Sequence, residues 1–184
     1  MPTLIANATD SARTSGANDL NYSFSLVGRE GLTPPDYMRG WMHFDYSSIP
    51  SSATILSVSL QLYQYDIPRP YADASFIIRR VTSSWNYTTI KRSTEPTQDS
   101  TGLSILLMSA SGADGYYTWT FDAYGIARIQ AAVSGSETNY GYLVRLANEA
   151  DNTMHAFYDH TNANPPKLSI TYRVNGSQPV IMFY

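Results

Sequence analysis

The sequence predicts an all-β protein, a single antiparallel jelly-roll-like β-sandwich carrying one short helix. Three observations lead there. Residues 56–63 alternate, with Leu56, Val58, Leu60 and Leu62 on one face and Ser57, Ser59, Gln61 and Tyr63 on the other. That period of two belongs to an antiparallel sheet with one buried and one wet face. The pattern returns at Tyr117, Trp119 and Phe121, at Tyr142, Val144 and Leu146, and at Leu168, Ile170 and Tyr172. Between these runs stand clusters of Pro, Gly, Ser and Asn, the punctuation of turns.

Taken in order, Leu4 to Asn7 reads as a first edge strand, followed by a polar stretch through Asn18. Asn21 to Val27 is a second strand, and the Gly-Leu-Thr-Pro-Pro loop within Arg29 to Asp36 cannot occupy a central strand. Met38 to Phe44 and Ile55 to Tyr65 form strands on either side of a Ser-Ser-Ile-Pro turn, and Ile67-Pro-Arg-Pro breaks the pattern. Ala74 to Val81 is another strand, and Trp85 to Ser104 reads as a long irregular connection. Ile126, Ile129 and Val133 fall at helical spacing, which places a helix over Ala123 to Val133 with Asp122 as its N-cap.

The chain has 184 residues, enough for one domain with a real core. We read a sandwich over 1–174 and an apolar tail over 175–184. Cysteine is absent, which excludes disulfides, Cys-ligated zinc and cysteine nucleophiles. Charged residues make up 15% of the chain and the net charge is -3, which leaves no basic footprint for nucleic acid. No run approaches the roughly 18 apolar residues a membrane helix needs, and the N-terminus lacks the basic and apolar regions of a signal peptide. The chain then reads as either a mature excised fragment or a protein made in the cytoplasm, and the second is the expectation.

The chemistry-bearing residues point away from catalysis. His155, Asp159 and His160 suggest a metal site, but on a strand His160 faces away from the other two. The nearest approach to a calcium site is Glu149-Ala-Asp151-Asn152, without a dense acidic run; no cofactor is expected. The acids are scattered, and Asp45 and Asp122 both follow a Phe at a strand end, where capping is the simpler role. Ser109-Ala-Ser-Gly has no nucleophile-elbow pattern. Aromatic rings are the better functional groups, since sugar rings stack on Trp and Tyr faces. Trp41, Tyr63, Tyr65, Trp85 and Tyr87 are the candidates for glycan contact. Trp41 and Tyr63 lie opposite the core stripe, exposed or under a loop. Val180, Ile181, Met182, Phe183 and Tyr184 make either a last edge strand or a peg that augments a neighbouring subunit.

Several segments together resemble the DNRLRE-type β-sandwich domain, related to the alginate-binding carbohydrate-binding modules. They are Asn18 to Gly28, Arg39 through Phe44-Asp45, Ile49-Pro50, Ala53-Thr54-Ile55, Leu60-Gln-Leu-Tyr63, Arg80-Val-Thr with Ser84-Trp85, Trp119 to Asp122 followed by Thr138-Asn-Tyr-Gly-Tyr142, and Asn164 to Tyr172. Two places differ from the family pattern: Lys91-Arg92 stands near where the family has a second tryptophan-bearing turn after the Trp85 region, and Ala131-Ala132 replaces a tryptophan before Asn-Tyr-Gly. The resemblance implies a jelly-roll sandwich without catalytic machinery.

Two functions follow as expectations. The first is a non-catalytic structural or display protein of a bacteriophage virion, a capsid decoration, fibre or tail-associated sandwich. Its partners would be other virion or surface proteins, copies of itself included, and its location the virion. The second is a carbohydrate-binding or adhesion module of a larger secreted or cell-surface protein, its partner a polysaccharide.

Overall fold

The computed structural model describes residues 1–15, 21–22, 26–30, 36–65, 73–109 and 112–174. The chain runs β1 (Thr3–Ser15), β2 (Asn21–Tyr22), β3 (Leu26–Glu30), β4 (Asp36–Phe44), β5 (Ala53–Gln64) and β6 (Ala74–Arg80). It continues through β7 (Ser104–Met108), β8 (Gly115–Thr120), α1 (Ala123–Val133), β9 (Tyr142–Leu146), β10 (Met154–Ala156) and β11 (Lys167–Val174). The strands line up as β7-β6-β9-β4-β1-β11-β5-β8, with β2, β3 and β10 off this path, and the described pairings are antiparallel.

Strand β1 is the corner that makes this a sandwich. Residues 3–7 pair with β11, whereas the stretch from Ala8 to Ser15 pairs with β4, and the register slips between Ala8 and Asp10. A bulge of this kind bends a strand and raises its twist, so the two halves of the sheet fold over one core. Phe44, Leu60, Leu62, Phe76, Trp119, Val144, Phe157 and Leu168 are buried there. The indole N–H of Trp119 on β8 donates to the carbonyl of Phe76 on β6 (3.1 Å), tying the halves together.

The expected helix is present over Ala123–Val133, and the carboxylate of Asp122 accepts the Gly125 N–H (2.8 Å) as its cap. Its Gln130 serves the sheet. Strand β8 pairs with β5 only from Ser59 onward. At the start of β5, Gln130 accepts from the Ile55 N–H (2.9 Å) and donates to the Ala53 carbonyl (3.0 Å), standing in for the missing neighbour.

Four expectations change. Leu56 does not share the core face with Val58, Leu60 and Leu62; it is 37% exposed. Ser57 pairs with Thr171 but Ile55 pairs with Tyr172, so Leu56 is the extra residue of a bulge and Ile55 turns inward instead. The first strand extends to Ser15, through residues that read as a polar connection. The second is described at its two ends, as β2 and β3, the latter continuing through Arg29 and Glu30. Strand β7 begins at Ser104, inside the connection read as irregular, and β10 runs through His155, a strand residue for which the sequence sets no bounds. The Ile67-Pro-Arg-Pro breaker and the Gly-Leu-Thr-Pro-Pro loop lie outside the described residues.

Candidate functional site

On the face of β4 turned away from the core stand Arg39, Trp41 and His43, beside Thr14, Ala12 and Asp10 of β1. Residues 82–99 cross this face and build a second small core. Ala12, Trp41, Val81, Ile90 and Leu143 are buried in it, with Trp85 and Tyr140 packed against them. Trp41 is therefore under a loop, fully buried. Its indole N–H donates to the Thr14 hydroxyl (3.0 Å), and its ring lies 6.4 Å from that of Trp85. No ring face of Trp41 is left for a ligand, which corrects its place among the contact candidates.

Trp85 and Tyr87 fare differently. The Trp85 indole donates to the Tyr140 carbonyl (2.6 Å), which fixes the ring half-buried at the edge of the second core. Asn86 turns the chain sharply after it, its side-chain oxygen accepting from the Thr88 N–H (2.8 Å) and hydroxyl (2.6 Å). That turn leaves Tyr87 43% exposed, edge-on to His160 at 5.8 Å. His160 is held in turn by the Ser11 hydroxyl (2.8 Å).

Between these elements lies a cleft of about 320 Å³. Trp85, Tyr87 and Tyr140 supply its aromatic walls, and Asp10, His43, Ser84, Asn86 and Asn139 its polar groups. Asn139 is pinned twice: its amide donates to the Phe44 carbonyl (2.7 Å) and its side-chain oxygen accepts the Gly141 N–H (3.0 Å). Gly141 has φ +87°, and a Cβ there would sit 2.3 Å from the Met42 carbonyl oxygen, so only glycine lets this turn lie on β4. The His43 Nε2 donates to the Asn139 carbonyl (3.2 Å), which leaves Nδ1 to accept from the Thr9 hydroxyl (3.2 Å). The cleft thus offers rigid rings with hydrogen-bonding groups at their rims, and Asp10 is the one carboxylate among the described residues that line it. Such a site suits a ligand with an apolar ring face and many hydroxyls.

Tyr63 and Tyr65 lie elsewhere, on the outer face of β5. Tyr158 stacks between them, with ring centroids 5.2 and 4.5 Å away, and Tyr116 meets Tyr63 edge-on at 5.2 Å. Each of the two thus gives one ring face to Tyr158, and both stay half-buried. The structure thus brings Trp85 and Tyr87 together, sets Trp41 beneath Trp85, and separates them from Tyr63 and Tyr65. Val180 to Tyr184 lie outside the described residues.

The remaining candidates are engaged in the fold. Glu149 receives a bidentate pair from Arg39 (2.7 and 2.8 Å), and Arg39 also donates to Glu95 (2.6 Å), which pairs with Arg92. Burial opposes ionisation of Glu149, but these cations hold its carboxyl below the ordinary range. Asp151 accepts from the Asn148 amide (2.7 Å). His155 donates to Gln64 (2.7 Å), whereas Asp159 accepts from Thr161 and Asn162, so His155, Asp159 and His160 turn to separate partners. Among the described residues no three His, Cys, Asp or Glu side chains gather as metal ligands.

Sequence reasoning did not single out Asp10, His43, Asn86, Asn139 or Tyr140 as contacts. The signal was nevertheless in the motifs: Trp85 closes the Arg80-Val-Thr segment, Asn139-Tyr-Gly lies in another, and His43 precedes Phe44-Asp45. The three segments converge on the cleft. A family model described as carbohydrate-binding module family 96 matches residues 13–172. No curated protein matches the chain.

Proposed function

The chain belongs to carbohydrate-binding module family 96, and from that premise we propose that it binds a glycan without catalysis, in the cleft walled by Trp85, Tyr87 and Tyr140. One observation carries the reading: an exposed tyrosine and a positioned tryptophan share a hollow with Asp10, His43, Asn86 and Asn139. Pyranose C–H faces pack on such rings, while amides and a carboxylate hold hydroxyls. The module would then serve a secreted or cell-surface protein.

The charge in the cleft favours a neutral chain. An alginate-like polyuronate would bring carboxylates against Asp10, while Arg39 and Arg92, across the 82–99 segment, are already paired with Glu95 and Glu149. Titration calorimetry with neutral polysaccharides and a polyuronate tests this. Tyr87→Ala should weaken binding at least tenfold, about 1.4 kcal/mol, with unfolding temperature unchanged. Equal binding by Tyr87→Ala would remove the cleft from consideration, and tighter binding of the polyuronate would overturn the neutral assignment.

A second reading, display on a virion, draws on one surface feature. Ile105 and Leu107 are 61% and 65% exposed on β7, the end strand of the sheet order, an apolar strip suited to assembly. Removing residues 175–184 should abolish particle association under that reading and leave the sandwich folded. Unfolding of the shortened chain would mean the tail belongs to the domain itself.

A further inference from the structure

A second hollow, of about 270 Å³, adjoins the cleft, and His43 and Asn139 line both. The hydrogen bond between these two residues makes the common wall. Beyond it the chemistry changes. Ala132 and Val133 give an aliphatic lining over the buried Ile49, with Asp45 and Ser47 at the rim. Tyr46 also borders it, but its ring is buried and its hydroxyl is shared with Tyr142 (3.4 Å), so no aromatic face is offered. A concave aliphatic surface selects a small apolar protrusion, whereas a flat sugar face needs a flat ring. At the rim, the Ser47 N–H holds the Asp45 carboxylate (2.9 Å) in place as an ionised acceptor. The hollow therefore asks for a methyl group with an N–H donor beside it.

We infer that this hollow takes the acetamido group of an N-acetylated sugar, linked in the same chain to the sugar held between Trp85 and Tyr87. The methyl rests on Ala132 and Val133, and the amide N–H donates to Asp45. Other substituents fit less well. An O-acetyl ester has the methyl but no donor for Asp45, a hydroxymethyl group leaves the aliphatic lining uncovered, and a uronate meets the Asp45 charge. The inference rests on the cleft being the glycan site and adds the class of the neighbouring residue.

The test is an array of oligosaccharides that includes matched pairs differing only in acetamido or hydroxyl. It is probed with the wild-type chain, Ala132→Gln, which extends a helix-compatible side chain into the hollow, and Asp45→Asn, at an exposed position. The acetamido member of each bound pair should bind at least tenfold more tightly to the wild type. Both variants should lose that preference and keep the affinity for the hydroxyl member. Circular dichroism checks Ala132→Gln, and Asp45→Asn decides alone if that variant does not fold. Binding with no acetamido preference, or a preference that survives Asp45→Asn, overturns the inference and leaves the cleft standing. Absence of binding to every glycan overturns both.

Discussion

The tyrosine ladder on β5 and the cleft beside Trp85 are built from the same kinds of side chain and do opposite things. In the ladder, Tyr158 fills the space between Tyr63 and Tyr65, while its backbone N–H donates to the Tyr63 carbonyl (3.0 Å). The rings staple the segment after β10 onto β5. In the cleft, Trp85 is anchored by its N–H and by Trp41 beneath, and Tyr87 is carried out into solvent by the Asn86 turn. What separates a binding platform from a staple is thus what the ring faces touch. Aromatic content alone does not tell them apart.

The largest effect should come from the layer beneath the cleft. Trp41→Ala empties a fully buried site in the second core and leaves Thr14 without its donor. A loss of about 3–5 kcal/mol is expected, measured by denaturant unfolding, and glycan affinity should fall with it because Trp85 loses its support. Retained affinity in a folded Trp41→Ala chain would break the link between the second core and the cleft.

Acid should act on the other region. Behind the ladder, buried His155 donates to Gln64, and its Nε2 meets no hydrogen-bond partner among the described residues. Burial pushes its pKa down to about 4 from 6.5. The unfolded chain takes up this proton as pH falls through 6.5, and the native chain does so only near 4. Stability is therefore fully present above that window and declines across it, by an amount on the order of 3 kcal/mol. His155→Gln should flatten the profile between pH 6.5 and 4; an unchanged slope would show that another group is responsible.

Smaller effects sharpen the contrast further. Tyr158→Ala removes both stacked contacts of the ladder, and about 1–2 kcal/mol of stability should go with them, while glycan affinity stays at the wild-type level. Arg92→Ala breaks one partly exposed ion pair with Glu95 and should cost less than about 1 kcal/mol, again without a change in binding. Lost affinity in either variant would move the site away from the cleft.

The parts of the fold legible in the sequence are those governed by local chemistry. Strand β5 shows its period, and α1 carries both a cap and an apolar stripe. Leu56 was illegible because its bulge depends on the register of β11, a strand more than a hundred residues away. The length of β1 was hidden for a related reason. Its residues 11–15 are buried on both faces, with Ala12 and Thr14 under the 82–99 segment, so they lack the simple alternation of a half-wet strand. The same covering layer explains Trp41: alternation identifies the face opposite the core, but not that another segment lies over it. Trp85 and Tyr87 were visible as aromatic residues in a turn-rich segment. Their polar companions come from β1, β4 and the turn before β9, and only the folded sheet assembles them.

Affinity electrophoresis of three proteins tests the central claim most directly: the wild type, Tyr87→Ala and Tyr65→Ala, run in gels containing neutral polysaccharides or a polyuronate. The wild type and Tyr65→Ala should be retarded equally in a neutral-polysaccharide gel, with Tyr87→Ala migrating freely. Retardation of Tyr87→Ala to the wild-type extent, or release of Tyr65→Ala, would contradict the assignment of binding to the cleft.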